Sequence, residues 1–220
     1  MHVYRLDPIQ NARTNMVLSQ LKPNGVFDRK ILELFNNIPR ENFIPVSAFS
    51  MAYGDAPIYY GIPGRYMFAP QTLALMLQNL ELMPNDPVLI IGGNYGYTAT
   101  MIFEMGCKVY VTEPEPLLAS KCREKLKKYN CIIESSQLAI GLPEYCPYKA
   151  IIAEVGFHEV PETIINQLSE NGKIGVCLVN KESQSSKACV FQKKSNKLSL
   201  ITSFAANIPS CPDNPVEFVF

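Results

Sequence analysis

Residues 87–100, Pro-Val-Leu-Ile-Ile-Gly-Gly-Asn-Tyr-Gly-Tyr-Thr-Ala-Thr, constrain the fold more than any other stretch of this chain. The short apolar run, rich in β-branched residues, predicts a buried strand. It ends in a small-residue turn at Gly92, Gly93, Asn94 and Gly96, and residues 97–105 suit a helix. Strand, glycine turn and helix is how an open α/β sheet builds a nucleotide-sized pocket at the carboxyl end of its first strand. Glycine suits a tight turn that lets a ligand approach bare backbone. The helix that follows directs its unpaired amides at that ligand.

The spacing narrows the ligand. A dinucleotide fingerprint beginning at Gly92 would carry glycines at 94 and 97, where this chain has Asn94 and Tyr97. Glycines at 92 and 96 fit the looser turn of S-adenosylmethionine-dependent methyltransferases better, and Asn94 is tolerable because Asn visits left-handed backbone. Glu113 follows Gly92 by 21 positions, at the tip of the second predicted strand and beside Pro114. A carboxylate there accepts hydrogen bonds from ribose hydroxyls. That acid suits a nicotinamide dehydrogenase equally well, so only the turn spacing separates the two. A plain strand-to-helix turn followed by a surface acid is the simpler alternative, and the joint occurrence of turn and acid at this separation weighs against it.

At 220 residues the chain is long enough for one domain with a large core, and 47% hydrophobic against 18% charged residues describes a globular protein. Twenty basic and twenty acidic residues balance, so nothing advertises nucleic acid or an anionic membrane. Seven cysteines without a C-x-x-C pair, and only two histidines, argue against zinc and for a reducing, cytoplasmic setting. No apolar run has the length of a signal-peptide core at the N-terminus or of a membrane span.

Along the chain, Met16, Val17 and Leu21 have helical spacing within 10–22, and Pro23-Asn24-Gly25 predicts a turn. A helix is expected over 28–37 with Asp28 as N-cap, followed by an extended stretch over 38–45. Residues 52–70 hold three glycines, three prolines and four tyrosines, Tyr59 and Tyr66 among them, which predicts a long functional loop; an apolar flap over the sheet is the alternative. A helix over 71–81 carries Leu73, Met76, Leu77 and Leu80 on one face. Strands are expected at 107–112, 131–135, 150–154 and 173–179, with helices at 116–129 and 162–169. Further strands are expected at 188–193, 198–204 and 216–220. The pattern predicts a Rossmann-like, mostly parallel α/β sheet with helices on both faces, an antiparallel C-terminal edge and an N-terminal helical arm. His158, after the fourth strand, could serve as an acid or base, but nothing in the sequence gives it a partner.

The chain resembles the protein-L-isoaspartate O-methyltransferases over nearly its whole length. The likeness rests on Ile38-Pro39-Arg40-Glu41-Asn42-Phe43-Ile44-Pro45, Ala52-Tyr53, Val88 to Gly92 with Gly96-Tyr97, Gly141-Leu142-Pro143-Glu144, Val160-Pro161-Glu162, and Gln167-Leu168 with Asn171-Gly172-Lys173. It implies a class I methyltransferase spanning 1–220 as a single domain. Residues 1–70 would form the helical arm and substrate-side loop, and 71–220 the cofactor-binding core. It also implies S-adenosylmethionine, with S-adenosylhomocysteine as product, at Gly92, Gly93, Asn94, Gly96, Tyr97, Glu113, Pro114 and Gln137. The acceptor would be an isoaspartyl carboxylate of damaged proteins or peptides, approached by Ile58, Tyr59, Tyr66 and Phe68, with no metal. The chain departs from the family pattern where Ile90, Gln137 and Lys149 replace acids and Phe68 replaces a serine. Phe68 has no hydroxyl to offer the acceptor. A drifted member acting as a cofactor-sensing or interaction module, or on another acceptor, is the alternative.

Overall fold

The computed structural model describes residues 7–183, 185–206 and 208; the strand expected at 216–220 lies outside them. The run Pro87–Ile91 is β3, and its burial on both faces explains why it reads as continuous hydrophobicity. Val88 and Ile90 enter one core cluster, while Leu89 and Ile91 enter another on the opposite face. Ile90, at the place of the family's acid, is therefore an ordinary core side chain.

Two short strands, β1 (Ile58–Tyr59) and β2 (Tyr66–Met67), form an antiparallel hairpin apart from the main sheet. The main sheet contains β3, β4 (Lys108–Thr112), β5 (Ile132–Glu134), β6 (Tyr148–Phe157), β7 (Leu168–Val179), β8 (Ser186–Lys194) and β9 (Lys197–Ala206). Its order is β5-β4-β3-β6-β7-β8-β9. Neighbours from β5 to β7 run parallel, and β8 and β9 complete an antiparallel edge. The chain moves from β3 outward to β4 and β5, then returns to β6 on the other side of β3. That reversal opens a crevice at the carboxyl ends of β3 and β6, where ligands of such sheets bind.

The helices are α1 (Pro8–Met16), α2 (Arg29–Asn37), α3 (Pro70–Leu80), α4 (Tyr97–Glu104), α5 (Pro116–Leu126) and α6 (Glu162–Gln167). The Asp28 side chain accepts from the Ile31 amide and caps α2, whose Ile31, Leu34 and Phe35 are buried. Among the described residues no helix is long and apolar enough to cross a membrane.

Several sequence expectations need correction. Residues 38–45 are not simply extended, because Arg40–Phe43 makes a 3-10 turn. The helix expected over 162–169 stops at Gln167, and β7 begins at Leu168, before the Asn171-Gly172 pair. Asn171 takes a left-handed φ of 64° inside that strand, near the register shift between Tyr148 and Ala150. A local irregularity absorbed by the ladder looks, in sequence, like a helix stop. The stretch 52–70 is no open loop either, for Ile58, Tyr60, Arg65, Tyr66, Met67 and Phe68 are all buried.

Candidate cofactor and acceptor site

Gly92 to Gly96 lies at the switch point, and its conformation explains its composition. Gly92 and Gly96 have φ of 80° and 89°, and Asn94 has 49°, all left-handed. Gly93 is needed for a different reason: a Cβ there would lie 2.3 Å from Val111 Cγ1. The Gly92 and Gly93 amides both donate to the Thr112 carbonyl, fixing the turn against the end of β4.

Two carboxylates flank this turn because β4 and β6 are the two neighbours of β3. Glu113 follows β4 and is fully buried; Glu154, within β6, is also buried. Arg65 of the hairpin turn meets the first of them, and Asn94 links it to the second. Its Nη1 donates to Glu113 Oε1 at 2.8 Å, while its Nη2 donates to Glu113 Oε2 and, at 3.1 Å, to Asn94 Oδ1. Glu113 also accepts from the Asn94 amide at 2.7 Å and the Glu115 amide at 3.1 Å. Both of its oxygens are thus committed. Asn94 Nδ2 bridges to Glu154 Oε2 at 3.0 Å and to the Tyr66 carbonyl at 3.1 Å. Thr98 Oγ1 donates to Glu154 Oε1. Burial pushes the Glu154 carboxyl up to about 7, against the pull of the Thr98 and Asn94 hydrogen bonds and of the nearby arginines.

The hairpin is pinned by the arm. Arg40, from the Pro-Arg-Glu motif, donates through Nε to the Ala52 carbonyl at 2.9 Å and through Nη2 to the Phe68 carbonyl at 2.8 Å. Its guanidinium lies 5.0 Å from the Tyr97 ring centre. Arg13 pairs with Glu41 at 2.9 Å and donates to Tyr53 Oη, which itself donates to Glu41. Tyr60 donates to the Phe43 carbonyl at 3.0 Å and stacks on Tyr95 of the glycine turn, with ring centres 4.9 Å apart.

The expected site residues therefore divide. Gly92, Gly93, Asn94, Gly96 and Glu113 converge on one crevice, and Pro114 and Glu115 continue from it. The Tyr97 side chain turns away and packs edge-on against Phe43, with burial raising its hydroxyl to about 12. Gln137 is exposed in the turn after β5, where its carbonyl accepts from the Ile140 and Gly141 amides. Of the four hairpin residues expected on the acceptor side only Tyr59 is exposed; Ile58, Tyr66 and Phe68 are buried, so their side chains do not line an open acceptor channel. His158 Nδ1 bonds the Val179 carbonyl at 2.9 Å, which ties it to β7. Among the described residues no group of three or more His, Cys, Asp or Glu could hold a metal ion.

Arg65, Glu154 and Thr98 were missed in the sequence. One signal was available: Arg65 is the only base within the aromatic stretch 52–70, and an apolar loop must pair such a charge if it folds inward.

The residues suit an adenosyl ligand in kind. A glycine turn leaves bare backbone at the switch point, and an acid stands at the tip of the neighbouring strand. A Cβ on Gly92 would lie 3.2 Å from Arg65 Nη2, so a cationic side chain of the chain itself already lies against the turn.

Comparisons with known proteins agree with this geometry. A family model described as protein-L-isoaspartate(D-aspartate) O-methyltransferase matches residues 12–208. Protein-L-isoaspartate O-methyltransferase 1 of Syntrophobacter fumaroxidans is 32% identical over 170 residues, covering 76% of this chain and 79% of that protein. The Aeropyrum pernix protein-L-isoaspartate O-methyltransferase is 34% identical over 176 residues, with 76% and 67% covered. A solved protein-L-isoaspartate O-methyltransferase superposes with a TM-score of 0.77 at 28% identity, over 90% of this chain and 65% of that one. A Plasmodium falciparum structure, 20% identical and solved with S-adenosyl-L-homocysteine, shares the fold with a TM-score of 0.74 over 90% of this chain and 97% of that one. Methyl transfer from S-adenosylmethionine to L-isoaspartyl residues, a protein-repair reaction, is the activity of the family. The chain belongs to the protein-L-isoaspartate(D-aspartate) O-methyltransferase family.

Proposed function

We propose that this chain methylates the carboxylate of L-isoaspartyl residues in proteins or peptides, and that residues 1–220 work as one domain. Residues 1–70 would serve the acceptor side and 71–220 the cofactor side. The observation that carries the reading is the family match over residues 12–208, laid on a glycine turn at the switch point of the sheet. The turn Gly92, Gly93, Asn94 and Gly96 would hold the cofactor with backbone groups, Tyr97 contributing its amide alone. Glu113 beside Pro114 would hold the ribose, and Gln137 the adenine side. The hairpin carrying Ile58, Tyr59, Tyr66 and Phe68 would close over the acceptor.

When bound, S-adenosylmethionine supplies a sulfonium methyl group that a carboxylate oxygen takes, leaving S-adenosylhomocysteine as a neutral thioether. A carboxylate is already ionised at neutral pH, so the chain need supply no general base. Its task is to position the acceptor and exclude water. The unpaired state of the six described cysteines supports a cytoplasmic setting. Charge balance gives no support to a nucleic-acid or membrane partner.

Calorimetric titration with S-adenosylhomocysteine, followed by label transfer from S-adenosylmethionine to an isoaspartyl peptide with an aspartyl control, tests this reading. Binding and label on the isoaspartyl peptide alone are expected. Binding with no transfer would point to another acceptor, a second reading favoured by the buried, hydroxyl-free Phe68. No binding at all would make the chain an interaction module.

A further inference from the structure

The unexplained feature of the crevice is Arg65. A guanidinium that is almost wholly buried grips both oxygens of Glu113, and that acid is the group the cofactor reading needs for ribose. The two demands are incompatible, because each Glu113 oxygen already accepts two hydrogen bonds. A ribose diol on Glu113 therefore displaces Arg65. A displaced guanidinium in a closed site needs a new anion, since an unpaired buried charge is costly. Arg65 stands three residues before Phe68, with Tyr66 and Met67 between them. Its Nε is buried and makes no hydrogen bond, so a third donor on its fork is unused. Its grip on Glu113 shows that the hairpin can present this fork to a carboxylate bidentately. Arg40, the other buried arginine of this region, also has a buried nitrogen without a hydrogen bond, Nη1, but its Nε and Nη2 are held by the Ala52 and Phe68 backbone carbonyls, which no ligand displaces.

We propose that Arg65 is the acceptor-binding residue: it is held in reserve on Glu113, is released when a ribose takes that acid, and then receives the acceptor carboxylate in place of the hydroxyl that Phe68 lacks. The proposal rests on the cofactor reading above. It makes loading ordered, cofactor first, and selects an ionised carboxylate over its amide.

The test compares wild type with Arg65→Ala and Arg65→Lys, each checked for cooperative thermal unfolding. Removing the competitor should tighten S-adenosylhomocysteine binding to Arg65→Ala by about fivefold or more. The KM for an isoaspartyl peptide should rise about tenfold or more with a smaller change in kcat, and Arg65→Lys should recover part of it. If Arg65→Ala cannot fold, Arg65→Met replaces it, keeping the apolar stem without the charge. Wild-type binding with unchanged or weaker affinity in the variant, or an unchanged peptide KM, would overturn this proposal and leave the cofactor reading standing. If neither wild type nor variant binds, the cofactor reading falls and takes the proposal with it.

Discussion

Arg40 and Arg65 are both buried, and both fasten the segment 52–70, yet their guanidinium groups meet different chemistry. Arg40 sits on two backbone carbonyls of the arm and hairpin and on the aromatic face of Tyr97 at the start of α4, all neutral partners. Arg65 sits on a carboxylate and an amide oxygen in the crevice. Carbonyls of a fixed backbone cannot be taken by a ligand without unfolding the loop. A side-chain carboxylate can be shared with any incoming donor. The first arrangement is a staple and the second an exchangeable latch.

The largest expected effect separates the two. Arg65→Met leaves Glu113 buried without its counter-charge and should destabilise the ligand-free protein by about 4 kcal/mol, as when one partner of a buried pair is removed. Denaturant unfolding should show Arg65→Met/Glu113→Gln regaining much of this loss. An equal loss in the double variant would mean that Arg65 matters for packing rather than for the pair. Arg40→Met should cost about 3 kcal/mol, because two buried carbonyls lose a charged donor. S-adenosylhomocysteine should not offset that loss beyond its effect on wild type, whereas it should offset the Arg65→Met loss; the same offset in both would abolish the distinction drawn here.

The smallest effect concerns Glu154, which shares Asn94 with the latch. Its carboxyl is raised to about 7 from an ordinary value of 4.5. The folded state therefore holds a proton that the unfolded chain has released, and stability falls as pH rises through this window. Between about pH 5 and pH 7 the loss should be about 2 kcal/mol, and Glu154→Gln should flatten it. A flat wild-type profile would show that Glu154 stays ionised beside Arg65.

Much of the fold was legible because its signals are local. The apolar run before Gly92, the Asp28 cap and the spacing of Leu73, Met76, Leu77 and Leu80 each state a backbone preference within a few residues. The family motif Pro39-Arg40-Glu41 was recognisable as a pattern, but not as the clamp on Ala52 and Phe68 that it forms. The hairpin was invisible because β1 and β2 are two residues each, too short for any periodicity to register.

By itself the sequence determined the alternation of strands and helices from α3 onward, the position of the glycine turn and the acid at the tip of β4. These follow from hydrophobic period and from the few residues able to take left-handed backbone. Only the tertiary structure decided what Glu113 meets. Residues 65, 94, 113 and 154 lie far apart in sequence; the parallel register of β4 and β6 on either side of β3 brings the last three together, and the hairpin pinned by Arg40 lays Arg65 on them. Chain folding, not residue spacing, placed a cation from the arm-side hairpin on the acid at the tip of β4.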